Sequence, residues 1–300
     1  MYQGETVAGS IATPNRWLLG IRPRTLTMAA APVITGAVLA WSGGASVDAL
    51  TLVVTLAVAV LIQIGTNLFN DASDGLRGSD GPERLGPIRL TGAGLATAAQ
   101  VRAAAIVCFV LALLAGVYLV WAGGLMILLI GLASLVAGYA YSSGPRPLSH
   151  GPWSEIWVIV FFGLVAVAGS YYLQALMLPN SAVLLTGLAI GSPAAAVLLV
   201  NNVRDRALDR RVGRRTLAVR VQPVTARWLY AALMVLPFVL LGLAWGWGAL
   251  GLVWLALPLF LWLPLRFARL PVGPVMNEQL GHTALAQLAL ALLLCIEWLI

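Results

Sequence analysis

A chain of 300 residues would ordinarily fold as one or two water-soluble domains, but 60% of these residues are hydrophobic, only 10% are charged and the mean hydropathy is +0.92. That composition excludes an ordinary aqueous core and marks a polytopic membrane protein, an all-α bundle embedded in lipid. The net charge of +7 and the pI near 10.1 do not indicate nucleic acid, because the basic residues form no groove-like patch with interleaved aromatics.

Apolar stretches of about 20 residues, enough to cross a hydrocarbon layer of roughly 30 Å as helices, recur along the whole chain. About nine transmembrane helices are predicted. Residues 1–15 form a polar tail without the basic and apolar regions of a cleavable signal, so the first span is expected to direct insertion. Arg16, Arg22 and Arg24 precede span one (about Leu26 to Trp41), and a Gly-rich turn leads to span two (about Leu50 to Phe69). Span two runs into a charged block at Asn67 to Thr91. Span three (about Ala103 to Val120), a tight uncharged turn at Trp121 to Gly124 and span four follow. The polar loop Tyr141 to Glu155 leads to span five, which ends near Met177, and span six (about Ser181 to Val200) leads into a second charged block at Asn201 to Arg220. Spans seven (about Trp228 to Ala244), eight (about Leu250 to Leu265) and nine (to Ile300) complete the chain. A single domain over 16–300 is expected, with a weak pseudo-repeat relating about 16–141 to 155–265.

Every basic residue is Arg, and all eighteen fall in alternate loops, the opposite loops holding none. The positive-inside rule therefore puts the N-terminus and both charged blocks on the cytoplasmic side of the inner membrane, with the C-terminus outside. Nine of the eleven acids share that face. Trp41, Trp121, Trp245, Trp247 and Trp298 fall at the opposite helix ends, as an interfacial aromatic belt requires. Cys108 and Cys295 lie inside apolar runs, with no disulfide framework or metal spacing.

The two charged blocks share a pattern: Asn67 precedes Asp71 by four residues, and Asn201 precedes Asp205 by four. If each helix continues through its block, Asn67, Asp71 and Asp74 share one face, and Asn201, Asp205 and Asp209 share another. Clustered carboxylates repel unless a cation neutralises them. Two Asp-rich faces with Arg nearby suit Mg²⁺ held by carboxylates and completed by substrate phosphate oxygens, with Mn²⁺ as a possible substitute. A single DxxD is common in solvated loops; the pairing of two argues against that reading. A diphosphate carrying a long apolar tail would place the tail among the helices and the diphosphate at the surface, where charge stabilisation of the leaving group promotes ionisation of an allylic carbon.

The chain resembles the UbiA-type intramembrane prenyltransferases, and within them the 1,4-dihydroxy-2-naphthoate polyprenyltransferase branch. The resemblance is carried by RPRTLTMAAAPVITG (Arg22 to Gly36), GTNLFNDASDGLRGSD (Gly65 to Asp80), GPIRLTGAGLAT (Gly86 to Thr97), the Tyr141 to Glu155 loop, FFGLVAVAGSYYLQ (Phe161 to Gln174) and NNVRDRALDRRVGRRTLAVR (Asn201 to Arg220). It implies that Asp71, Asp74, Asp205 and Asp209 hold the metal and carry the catalysis. It further implies that Asn67, Asn70, Asp80, Arg84, Arg89, Tyr141, Arg146, Asn201 and Arg204 bind substrate. The implied reaction joins a polyprenyl group from polyprenyl diphosphate to the aromatic acceptor with loss of diphosphate and CO₂, giving demethylmenaquinone. His150 departs from the aromatic Tyr of relatives and reads as a surface polar residue, as does His282. Three alternatives stay open: another aromatic acceptor such as 4-hydroxybenzoate, a CDP-alcohol phosphatidyltransferase and a membrane transporter. Asp71, Asp74 and Gly75 begin the DxxDG pattern of the phosphatidyltransferases, but Gly78 and Ser79 then break it. A transporter would be expected to place its acids near the bilayer midplane.

Overall fold

The computed structural model describes residues 13–77, 84–144 and 146–300, which form helices and connecting turns with no strand among them. Lipid offers the backbone no hydrogen-bond partners, so apolar segments satisfy their N–H and C=O groups internally. In chain order these are α1 (Thr13–Ile21), α2 (Pro23–Ser42), α3 (Ala49–Leu76), α4 (Ala98–Ser142) and α5 (Ser154–Ile159). A π-helical turn (Val160–Val165) joins α5 to α6 (Ala166–Ala175). Then come α7 (Ser181–Arg204), α8 (Arg206–Arg211), α9 (Leu217–Arg220), α10 (Pro223–Trp245), α11 (Leu257–Arg269) and α12 (Met276–Leu299). Eight helical segments among the described residues are long and apolar enough to span a membrane.

One of those eight makes two passes. The rings of Phe109 and Tyr139, both in α4, each lie 5.5 Å from the Phe69 ring. Thirty residues of straight helix would separate them by about 45 Å. The chain reverses at Gly124, whose φ of 67° and ψ of −157° suit glycine alone. The eight segments therefore make nine passes, and the turn predicted at Trp121 to Gly124 is a glycine break inside α4.

Side chains close several of the helix starts. Asp48 Oδ1 accepts from Thr51 N at 2.6 Å, Asn180 Oδ1 accepts from Val183 N at 3.0 Å, and Thr97 forms a reciprocal capping box with Gln100. These bonds satisfy N–H groups that the helices cannot.

The central pillar is α7, with Ile190, Ala194, Ala195, Ala196, Leu199 and Val200 fully buried in the apolar core. It packs against α10, α12, α5 and the π turn. The approach to the π turn is closer than any side chain permits: a Cβ on Gly163 would sit 2.4 Å from the carbonyl oxygen of Gly187. Small residues allow such backbone contact in membranes, where dispersion rather than hydrophobic exclusion drives packing. The contact holds α5 beside the charged end of α7.

The two charged blocks behave differently. α3 continues to Leu76, so Asn67, Asp71 and Asp74 do lie on one helix. α7 instead stops at Arg204, Asp205 takes φ −91° and ψ 5°, and the six-residue α8 begins beyond it. The expected uninterrupted helix through Asp209 is broken at the point where Asp205 folds back onto the neighbouring guanidinium of Arg204.

Candidate active site

Acids from both blocks meet through one cation. Arg214 Nη2 pairs with Asp74 Oδ1, and Arg214 Nη1 lies 3.4 Å from Asp209 Oδ1, joining positions 140 residues apart in one case and five in the other. Arg89 Nη1 approaches Asp74 Oδ2 at 2.6 Å from the other side and donates to Asn70 O at 2.8 Å and Asn70 Oδ1 at 3.0 Å. Both acids are buried, so their ionised forms depend on these guanidinium partners.

A small cavity of about 40 Å³ lies between the motifs. Asn70, Arg84, Arg89, Tyr141, Asn201, Asp205 and Asp209 line it, together with Asn202, Ser149 and Arg214. Seven residues singled out by motif and resemblance thus converge on one space. Tyr141 reaches it from the end of α4 and rests on a buried apolar cluster that includes Val158, Ala194 and Val197.

Other predicted site residues hold the walls in place. Asp71 Oδ2 accepts from Leu90 N at 2.9 Å; Asp71 Oδ1 accepts from Thr91 N at 3.0 Å and Thr91 Oγ1 at 2.6 Å. This carboxylate anchors the loop that carries Arg84 and Arg89. Asn67 Nδ2 donates to Ile21 O at 3.0 Å and Thr25 Oγ1 at 3.1 Å, fastening α3 to the α1–α2 junction. Arg204, fully buried, donates to both carboxylate oxygens of Asp205 at 2.8 and 2.6 Å, to Asn201 Oδ1 at 2.7 Å and to Asn277 Oδ1 at 2.5 Å. Asn277 Nδ2 in turn donates to Leu85 O at 2.9 Å. Arg146 is exposed and does not line the cavity, and Asp80 lies outside the described residues.

Burial pushes the Asp209 carboxyl up to about 6, Asp205 and Asp74 adding to the shift against Arg214. Burial with Arg214 and Arg77 lowers His150 to about 4, so its ring is neutral at pH 7. Its Nε2 lies 3.4 Å from Arg77 Nη1, and its backbone O accepts from Arg215 N at 2.9 Å. His150 thus joins the loop after α4 to the loop carrying Arg214, a fuller role than a surface polar residue. Burial, with Arg89 and Arg84 beside it, lowers Arg22 to about 9 against Asp71 and Asp74; its guanidinium still carries its charge at pH 7. Arg22, Arg84, Arg89, Arg204 and Arg214 together outnumber the carboxylates Asp71, Asp74, Asp205 and Asp209, leaving cationic character for an anionic ligand.

Among the described residues no group of three or more His, Cys, Asp or Glu side chains is arranged to hold a metal ion. The donor set nevertheless suits a hard divalent cation in kind, being oxygen throughout. In this structure the guanidinium of Arg214 supplies the positive charge shared between Asp74 and Asp209. Sequence reasoning missed Arg214 as the bridge because it is one of eight arginines in a single loop. Asn277 was missed for another reason, since nothing in its sequence neighbourhood sets it apart.

Residues 29–276 match the UbiA prenyltransferase family. The chain is 39% identical over 287 residues to the 1,4-dihydroxy-2-naphthoate octaprenyltransferase of Mycobacterium tuberculosis, covering 94% of this chain and 96% of the relative. It is 39% identical over 252 residues to the enzyme of that name from Escherichia coli, covering 79% and 81%. A solved UbiA homolog from Archaeoglobus fulgidus bound to GPP and Mg²⁺ shares the fold at TM-score 0.65 and 15% identity, over 94% of this chain and 99% of that one.

Proposed function

Because the chain belongs to the UbiA prenyltransferase family and is a multi-pass aromatic prenyltransferase, we propose that it joins a polyprenyl group to 1,4-dihydroxy-2-naphthoate. Diphosphate and CO₂ leave, and the prenylated naphthoquinol forms, the reduced state of demethylmenaquinone. The observation that carries this reading is the meeting of Asp74 and Asp209 across Arg214, which with Asp209 lines a cationic pocket at the end of an apolar bundle. The naphthoate is favoured because relatives 37–39% identical over most of the chain bear that activity in their names.

Arg84 and Arg89, with Arg22 behind them, would hold the diphosphate oxygens, and the apolar tail would lie among the helices. Asp74 and Asp209, with Asp205 and Asp71 beside them, are the residues that would hold Mg²⁺, Mn²⁺ serving in its place. When bound, the metal would supply charge that stabilises the departing diphosphate. Fixed guanidinium groups share that task, because charge develops where they already point. The bond from the allylic carbon to diphosphate oxygen breaks, and its electron pair leaves with the diphosphate. The carboxylate-bearing ring carbon attacks the allylic cation. Loss of CO₂ then returns the carboxyl bond's electron pair to the ring.

The Arg-bearing loops are proposed to face the cytoplasm across the inner membrane. The direct test incubates purified protein with Mg²⁺, a series of polyprenyl diphosphates and either dihydroxynaphthoate labelled at its carboxyl carbon or 4-hydroxybenzoate. Prenylated naphthoquinol with one equivalent of labelled CO₂ is expected. Product from hydroxybenzoate alone would overturn the choice of acceptor.

A further inference from the structure

The cavity has two chemically distinct walls. One is charged, formed by Arg84, Arg89, Arg214, Asp205 and Asp209; the other is neutral and partly apolar, formed by Tyr141, Leu198 and Asn202. The neutral wall is backed by an unusual group. Glu155, in the first turn of α5, is only 4% exposed and lies inside a segment apolar enough to span the membrane. A carboxylate there is costly and calls for partners. The partners it has are neutral: Ser154 Oγ donates to Oε2 at 2.9 Å, and Asn202 Nδ2 donates to Oε1 at 2.9 Å.

That second bond fixes the amide of Asn202. With its NH₂ committed to Glu155, its carbonyl oxygen has no protein partner, although the residue is 5% exposed and lines the cavity. A carbonyl oxygen that meets no protein donor, on a residue lining the cavity, is open to a ligand hydroxyl. Tyr141 lines the same wall and supplies an aromatic ring there.

We propose that Asn202, oriented by Glu155, accepts a hydrogen bond from a ring hydroxyl of the aromatic acceptor, whose ring rests against Tyr141. This rests on the prenyl-transfer reading and assigns the acceptor half of that site. The chain of bonds from hydroxyl to amide oxygen to carboxylate polarises cooperatively and moves electron density onto the ring, which must act as the nucleophile. Glu155 is a positioning residue; Asn202 is the one that touches substrate. The cavity of about 40 Å³ is close to the volume share of one water, so the two walls part to admit the ring.

The test compares wild type with Asn202→Leu, Asn202→Ser and Glu155→Gln, reading KM for each substrate separately. Asn202→Leu is expected to raise KM for dihydroxynaphthoate at least about tenfold, the effect of losing one hydrogen bond of about 1.4 kcal/mol. KM for the polyprenyl diphosphate should stay within about twofold. Asn202→Ser keeps a hydroxyl oxygen at a less crowded position and should recover part of the loss, excluding misfolding as the cause. Glu155→Gln can still accept from Asn202 Nδ2, so it should spare acceptor KM and lower kcat. Binding of the naphthoate to enzyme loaded with an unreactive thiodiphosphate gives a second readout and should weaken in step with KM. An unchanged acceptor KM in Asn202→Leu, or an equal rise for both substrates, would overturn the assignment. If wild type fails to prenylate the naphthoate at all, the fault lies with the reaction and not with this subsite.

Discussion

Replacing Arg214 with Gln removes the cation that bridges Asp74 and Asp209, and the structure sets the size of the effect. Breaking a buried ion pair costs about 3–5 kcal/mol when a charge is left without compensation. Two features lower that figure here. Asp74 keeps Arg89 at 2.6 Å, and the Arg214 side chain is 17% exposed, so part of its interaction is screened by water. Asp209, near 6 with Arg214 in place and higher without it, can also shed its charge at pH 7 by taking up a proton for at most about 1.4 kcal/mol. The net loss should be about 2–3 kcal/mol, a fall in Tm of roughly 4–10 °C in the metal-free protein. Scanning fluorimetry of detergent-solubilised protein in chelator, at one fixed heating rate, measures it. Adding Mg²⁺ should raise the Tm of Arg214→Gln more than that of wild type, because the metal no longer competes with a guanidinium for the same acids. A variant within about 1 °C of wild type, with an equal response to Mg²⁺, would refute the bridging role.

Burial raises the Asp209 carboxyl to about 6, so the folded metal-free protein binds its proton more tightly than the unfolded chain does. Its stabilising contribution is complete below about 3.8 and lost as pH rises through about 6, so wild type should lose Tm relative to Asp209→Asn between pH 4 and 7. Saturating Mg²⁺ should flatten the difference, and a difference that grows with pH would contradict it. Asp71→Asn leaves one of the Leu90 and Thr91 backbone N–H groups without its carboxylate acceptor, at a cost of about 1–3 kcal/mol. The loop bearing Arg84 and Arg89 should become sensitive to limited proteolysis and prenyl transfer should be lost, so normal turnover by this variant would remove Asp71 from the site. Gly163→Ala should lower Tm by about 1–3 kcal/mol equivalent, because its Cβ meets the Gly187 carbonyl oxygen at 2.4 Å. Gly169→Ala, whose nearest neighbour lies 3.9 Å away, is the control, and equal effects would dismiss the close crossing. A cysteine introduced at Arg214 should react with impermeant maleimide only after cells are opened; labelling in intact cells would reverse the orientation.

The sequence was read correctly wherever a single residue's chemistry forces its neighbourhood. Apolar runs about 20 residues long can only be spanning helices, and glycine at Gly124 marks the one place where α4 can reverse. The convergence of the motifs was legible too, because carboxylates at the ends of apolar helices need counter-charge and find it on the same face. Assigning tasks within the motifs was another matter. Asp71 and Asp74 are three residues apart on one helix, yet one holds backbone N–H groups and the other holds guanidinium groups. Glu155 read as part of a polar loop and is instead a buried carboxyl at the head of a spanning segment.

Composition and periodicity by themselves determined that this chain crosses a membrane many times and gathers its charges at one face, because burial of apolar area and the cost of charge in lipid act on every residue of a given type alike. Tertiary structure alone decided which of seven arginines in the second block reaches Asp74, why α7 gives way at Asp205, and which amide bonds the buried Glu155. Those outcomes depend on the meeting of residues far apart in the chain, and spacing along a sequence carries no record of that distance.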